Sequence, residues 1–307
     1  MKAVFLGTSE FALPFLEALN RSEIQLQCVV TRPPRPAGRG KRLRQPPVYR
    51  AASELGLPVH QPAKLKTAFI EMLRSLDSDI MVTAAYGAWL PPALLNSARL
   101  GVMNVHPSLL PLYRGAAPVA RAIMDGAERT GVTFMLTDEG WDTGPVIDSF
   151  PEPIRSDDTT GTLTERLAEK AAERIAQVME EYRRGVLQPV PQMGRSCYAE
   201  KISKKETWID WRRPAEEIER LVRALQPSPG ARTRLNGKMI KVVRASICSQ
   251  DMPAGGIVAV DDGLTVGCGN DASLKIRELQ PASKKVMKAQ DFIRGARLDP
   301  GDSFELP

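Results

Sequence analysis

Asn104 and His106, two residues apart at the end of an apolar run, and three carboxylates in the glycine-flanked loop 137–144 are the side chains best suited to chemistry. The chain has only two histidines. His60 follows Pro58-Val59, and nothing near it calls for an imidazole. His106 follows the strand-like run 101–105, and alternate strand residues share a face, so Asn104 and His106 project together. Among the carboxylates Asp138, Glu139 and Asp142, the last lies between Gly140 and Gly144, where backbone can approach a ligand closely. A carboxamide can donate to the oxyanion of a reacting carbonyl, and loss of one such donor costs roughly 100–1,000-fold in rate. An imidazole can support that charge or move protons. A carboxylate can orient the histidine and take a proton from an attacking amine. Together these are the parts of acyl-type transfer to an amine. Residue types alone leave a plainer alternative open, in which Asn104 and Asp142 serve loop backbone groups and His106 is a strand-end polar residue.

The elements that must position these groups alternate strands with helices, as in βαβ units on a parallel sheet. Segments 3–6, 24–31, 80–85, 101–105 and 131–136 read as strands. Phe11, Ala12, Phe15, Leu16 and Leu19 follow a helical period after Gly7-Thr8-Ser9. Residues 48–55 read as a helix closed by Gly56, and 118–125 as a short helix with proline in its first turn and Gly126 past its end. Thr162 and Glu165 have capping-box spacing ahead of a long helix that stops before Gly185. Ligands of an open parallel sheet bind beyond the carboxyl ends of its strands, and the reading has loop 137–144 leave 131–136 on the same side as His106. Tyr86-Gly87 and Leu90-Pro91 are then candidate pocket walls.

The organisation expected is a catalytic domain over 1–186, a Pro- and Lys-rich linker over 187–206, and a second domain over 207–307. The second domain opens with a helix at 214–225. Strands 232–235 and 239–245 follow, joined by the hairpin signal Asn236-Gly237, with more strands at 257–260, 264–266 and 274–279. A small β-barrel with one helix is the expectation.

Hydrophobic residues make up 43% and charged residues 25% of the 307, which places the chain among globular proteins. No apolar run approaches bilayer length, and the N-terminus runs into a strand without a signal pattern. Four scattered cysteines without Cys-x-x-Cys argue against a metal or disulfide framework and fit a reducing cytoplasm. Nothing reads as a dedicated subunit interface, so a monomer is expected. The net charge of +6 is concentrated: 31–50 holds seven cations and no acid, 232–244 holds five and no acid, and Lys284, Lys285 and Lys288 form a third group. Solvated loops would account for any one cluster; three together point to a nucleic acid.

The string Asn104-Val105-His106-Pro107-Ser108-Leu109-Leu110-Pro111, with Tyr113-Arg114-Gly115-Ala116-Ala117-Pro118 after it, resembles the signature of the folate-dependent formyltransferases. Asp138-Glu139-Gly140-Trp141-Asp142-Thr143-Gly144 is similar to that family's second motif. The resemblance runs from Phe5-Leu6-Gly7-Thr8 through Arg35-Pro36-Ala37-Gly38-Arg39-Gly40-Lys41 and Tyr198-Ala199-Glu200-Lys201-Ile202 to Pro281-Ala282, Lys284-Lys285 and Met287. It is nearest to the branch that formylates the methionine on initiator tRNA. It implies transfer from 10-formyltetrahydrofolate without a metal, on a Rossmann-like domain followed by an OB-like barrel that binds tRNA. It further implies Asn104, His106 and Asp142 as the catalytic set, Ser108, Leu109, Leu110 and Pro111 at the folate, and Arg39, Lys41 and Arg42 at the tRNA. Gln226-Pro227-Ser228-Pro229 lacks a tryptophan common there. A small-amine formyltransferase, a hydrolytic relative and a non-catalytic RNA-binding protein are the competing readings. The arginine-rich loop, the basic C-terminal part and the intact Asn/His/Asp set weigh against the first and last.

Overall fold

The computed structural model describes residues 1–37, 40, 42–249, 252–260, 263–296, 298 and 302–306. Two compact units emerge. The first comprises Met1–Pro118, Arg129–Pro153 and Thr164–Ala199; the second comprises Val119–Glu128, Ile154–Leu163 and Glu200–Pro307.

The first unit is built on a seven-stranded sheet of β1 (Lys2–Gly7), β2 (Gln25–Val30), β3 (Val59–His60), β4 (Ile80–Ala84), β5 (Val102–His106), β6 (Arg129–Leu136) and β7 (Val146–Pro153), in the order β7-β6-β5-β4-β1-β2-β3. Strands β1 to β5 pair in parallel. Both faces are covered, so these strands read as nearly continuous apolar runs rather than alternating ones. Val4, Leu6, Cys28, Val30, Met81 and Val102 share one buried cluster with Ile70 and Leu73 of the helix Thr67–Ser75. Ala3, Phe5, Val29, Ile80, Val82 and Met103 are buried at the alternate positions. A mostly parallel, Rossmann-like sheet is what the sequence led us to expect.

One expectation is corrected. β6 runs antiparallel to β5, with Met103 opposite Leu136 and His106 opposite Thr133. Loop 137–144 therefore leaves β6 at the amino end of β5, not on the rim that carries His106, and must fold back to reach it. Apolar periodicity marks a strand but not its direction. The long helix, Thr160–Arg183, is also capped one turn earlier than the Thr162/Glu165 spacing suggested. Thr159 Oγ1 accepts from Thr162 N–H at 3.2 Å, and Thr162 Oγ1 accepts from Thr159 N–H at 3.0 Å. This is a reciprocal capping pair with threonine in place of glutamate.

The second unit carries an antiparallel sheet of β8 (Ala231–Leu235), β9 (Lys238–Cys248), β10 (Ile257–Val260), β11 (Gly263–Gly267) and β12 (Ser273–Pro281), in the order β8-β9-β12-β11-β10, with Met287–Lys288 paired to β12. Asn236 and Gly237 both adopt positive φ, 49° and 73°, as the two-residue turn requires. Among the described residues after 207, two α-helices form rather than the single one expected: Ala215–Ala224 and Ala289–Ala296. Trp211 is fully buried, stacks on Phe304 at 5.3 Å and donates from Nε1 to Thr233 Oγ1 at 2.9 Å.

Glu206 gives this unit a defined acid sensitivity. Arg121 Nη1 donates to its Oε1 at 2.5 Å and Ser203 N–H to its Oε2 at 2.9 Å, holding the carboxyl down from 4.5 to about 2. Because the folded value lies below the unfolded one, the stabilisation is complete above about pH 4.5 and is lost as pH falls towards 2. Glu206→Gln should flatten the decline of the melting temperature across that window. An unchanged decline would assign the acid sensitivity to other groups.

Candidate active site

Val102, Asn104 and His106 occupy one face of β5, and His106 ends the strand because Pro107 has no N–H to extend the ladder. His106 is sheltered, its side chain 5% exposed, while Asp142 is 20% exposed. The two histidine nitrogens meet different neighbours. Nε2 lies 2.9 Å from the Tyr113 carbonyl. A carbonyl only accepts, so Nε2 carries the hydrogen in this contact. Nδ1 faces Asp142 Oδ2 at 3.7 Å. Tyr113 adopts φ 57°, and its N–H donates to Cys197 Sγ at 3.2 Å.

Asp142 reaches this place because its loop doubles back over β5. Thr137 N–H donates to the Val102 carbonyl at 2.8 Å, and Leu136 N–H to Pro145 O at 2.9 Å. Asp142 takes φ 54°, a left-handed conformation uncommon for a side-chain-bearing residue. Its Oδ2 accepts from Gly115 N–H at 2.8 Å, and its Oδ1 is 3.5 Å from Asn104 Nδ2. The amide, the imidazole and the carboxylate thus converge at one place. Asp138 does not join them: its carboxylate accepts from Thr143 Oγ1 and Gly140 N–H and closes the turn.

Further contacts hold the loop from outside. Gln192 Nε2 donates to the carbonyls of Asp142 and Gly144 at 2.9 and 2.8 Å. Arg114 donates to Gln192 Oε1 from Nε at 3.0 Å and Nη2 at 2.7 Å. Arg114–Gly115 also pairs in parallel with Tyr198–Ala199. Sequence reasoning passed over Gln192 because it sits in a proline-rich stretch read as linker.

At the amino end of β5, a cavity of about 320 Å³ is lined by Pro92, Leu95, Asn96, Gly101, Val102, Leu136, Thr137, Asp138 and Glu139. It is apolar along β5 and polar on the loop side. Thr137 Oγ1 is buried there without a hydrogen-bond partner. Tyr86 and Leu90, candidate walls from the sequence, are 3% and 8% exposed, lie in the same buried cluster as Leu94 and Val102, and are not among the residues lining this cavity. Ser108 is fully buried and its hydroxyl donates to Leu112 O at 2.6 Å. Leu110 N–H donates to Thr133 Oγ1, which itself donates to Ser108 O. Residues 108–111 therefore offer a ligand backbone and apolar surface rather than a free hydroxyl.

Of the residues expected to meet tRNA, Arg42 is exposed on the strand Arg42–Arg44, which pairs with Arg35–Ala37; Arg39 and Lys41 lie outside the described residues. Arg35 stands directly opposite Arg44, both exposed. Like charges across a strand pair repel, and an anion laid over them relieves the repulsion. In the second unit, Arg244, Arg277 and Lys288 line a concavity of about 460 Å³ with Glu278 among them. The register of β9 against β12 shifts on both sides of Arg244, a bulge that re-aims its side chain.

A family model described as formyl transferase matches residues 1–179, and one described as formyl transferase, C-terminal domain, matches 201–297. A methionyl-tRNA formyltransferase of Halorhodospira halophila is 43% identical over 307 residues, covering 99% of each chain. One from Jannaschia sp. is 42% identical over 306 residues, covering 99% of this chain and 100% of its own. Among solved structures, the sugar 3N-formyl transferase WlaRD superposes with a TM-score of 0.68 at 15% identity, over 93% of this chain and 99% of its own. HypX from Aquifex aeolicus, solved with tetrahydrofolic acid, gives 0.65 at 18% identity over 98% of this chain and 49% of its own.

Proposed function

The chain belongs to the formyl transferase family, and from that premise we propose that it moves the formyl group of 10-formyltetrahydrofolate onto the α-amine of methionine carried by initiator tRNA. The observation that carries this reading is the 42–43% identity, end to end, with relatives named for methionyl-tRNA formylation. In this reading residues 1–186 form the catalytic domain, 187–206 the linker, and 207–307 an OB-like barrel that grips RNA, the protein acting as a cytoplasmic monomer.

Asn104 Nδ2 donates to the formyl oxygen as it gains negative charge, in the manner of an oxyanion hole. The amine lone pair attacks the formyl carbon; the new C–N bond forms as the bond to folate N10 breaks. One amine proton leaves towards Asp142, directly or through water, and one proton is delivered to N10, so the charges balance. His106, fixed by the Tyr113 carbonyl and facing Asp142 across 3.7 Å, shares that proton traffic. The cavity at the amino end of β5 would suit a pterin, with apolar side chains at Leu95, Val102 and Leu136 and the unpartnered Thr137 hydroxyl for a ring heteroatom. Residues 108–111 would border the folate through backbone and apolar contact.

A polyanionic acceptor is supported by the opposed Arg35 and Arg44 of the paired strands Arg35–Ala37 and Arg42–Arg44 and by the Arg244/Arg277/Lys288 concavity. A small-amine substrate needs neither. Arg39, Lys41 and Arg42 are assigned to the RNA on the same ground. The test is to offer 10-formyltetrahydrofolate with methionine-charged initiator and elongator tRNAs at several salt concentrations. Formylation of the initiator, with affinity falling steeply as salt rises, is expected. Formylation of a free small amine, or a flat salt response, would overturn the RNA assignment.

A further inference from the structure

Asp142 holds a left-handed backbone conformation, which aspartate tolerates better than most residues but which still costs energy, so contacts that pin the loop bear on its geometry. Gly115 N–H anchors the carboxylate but leaves the backbone free. Among the described residues, Gln192 Nε2 is the one donor to the carbonyls of both Asp142 and Gly144. Which end of the carboxamide points where is settled by chemistry. Arg114 can only donate, and its Nε and Nη2 both meet Oε1, so the amide nitrogen must face the two carbonyls. The fork fixes the plane of the amide, and the amide fixes two carbonyls of the loop that presents Asp142.

We propose that Gln192, oriented by Arg114, is the positioning residue for the Asp142 carboxylate, so that a segment fifty residues downstream sets the geometry of proton transfer. This rests on the assignment of Asp142 to the proton step. The chain from residue 192 to 199 is then not a passive spacer. At one end it holds the Asp142 loop, and at the other the Ala199 carbonyl accepts from Ala116 and Ala117 N–H, bracing the segment whose Gly115 N–H holds the carboxylate.

The test uses the full-length enzyme with single-turnover and steady-state assays. Gln192→Ala should lower kcat about 10- to 100-fold, the loss typical of a displacement near 1 Å, with KM for both substrates within about threefold of wild type. Gln192→Glu has the same size and still meets Arg114, but its ionised carboxylate cannot donate, and it should be impaired as much. In an Asp142→Ala background, Gln192→Ala should cost at most about twofold more, since a positioning residue has nothing left to position. Amide exchange at Gly115, whose N–H is tied to the carboxylate, should quicken in both Gln192 variants. A kcat within twofold of wild type in both, or unchanged Gly115 exchange, overturns the proposal. So does a loss that persists undiminished without Asp142, which marks a general structural role. Near-normal activity of Asp142→Ala alone would instead sink the assignment of Asp142.

Discussion

Asp142→Ala, His106→Ala and Asn104→Ala should each lower the turnover number at least about 100-fold while tRNA affinity stays close to wild type. Each side chain contributes something the other two cannot. Asn104 supplies a neutral N–H directed at developing charge; Asp142 supplies an acceptor for a departing proton; His106 supplies a nitrogen facing that acceptor while its other nitrogen is engaged by the Tyr113 carbonyl. None lies among the basic residues assigned to RNA, so binding and chemistry should separate. Single-turnover formylation with saturating substrates, alongside tRNA binding, distinguishes the two. A raised Kd that accounted for the whole loss would place these residues in substrate binding instead. Because the three act as a unit, double variants should lose far less than the product of the single losses.

Gly144→Ala should be nearly as damaging although it removes no functional group. A Cβ at Gly144 would lie 1.9 Å from the Leu136 carbonyl oxygen, a backbone atom at the end of β6 that cannot swing aside as a flexible side chain would. The loop must shift, and the Gly144 carbonyl that accepts from Gln192 shifts with it. A displacement near 1 Å at Asp142 is enough for a loss on the order of 100-fold in kcat. Circular dichroism and the melting transition should remain those of a folded enzyme, since the core strands are untouched. Wild-type turnover in Gly144→Ala would mean that the Asp142 loop tolerates movement, and with it that its geometry does not govern the rate.

Much of the fold and the central part of the site were legible because they rest on local rules. Asn104 and His106 share a face through strand periodicity alone, and Gly56, Gly126 and Asn236-Gly237 sit where backbone chirality demands them. What escaped depends on partners distant in sequence. The direction of β6 is set by its pairing with β5, which no apolar pattern encodes. Gln192 looked like linker because composition describes a segment's stiffness and not what an amide within it touches. Tyr86 and Leu90 pack in the buried cluster with Val102, and sequence alone does not say whether an apolar residue after a strand turns into the core or into a cleft. The cavity that emerged draws Leu95, Val102 and Leu136 from three elements, and only folding brings them together.

Arg35 and Arg44, opposed across the paired strands Arg35–Ala37 and Arg42–Arg44, imply that added electrolyte has two opposed effects there. With a Debye length of about 10 Å at 0.1 M, salt screens the mutual repulsion of Arg35 and Arg44. The same ions would compete for phosphate at this strand pair, if it meets RNA as proposed above. On the RNA assignment proposed above, RNA would take over the role of counterion at Arg35 and Arg44, so the salt that relieves their repulsion in the free enzyme would also weaken binding.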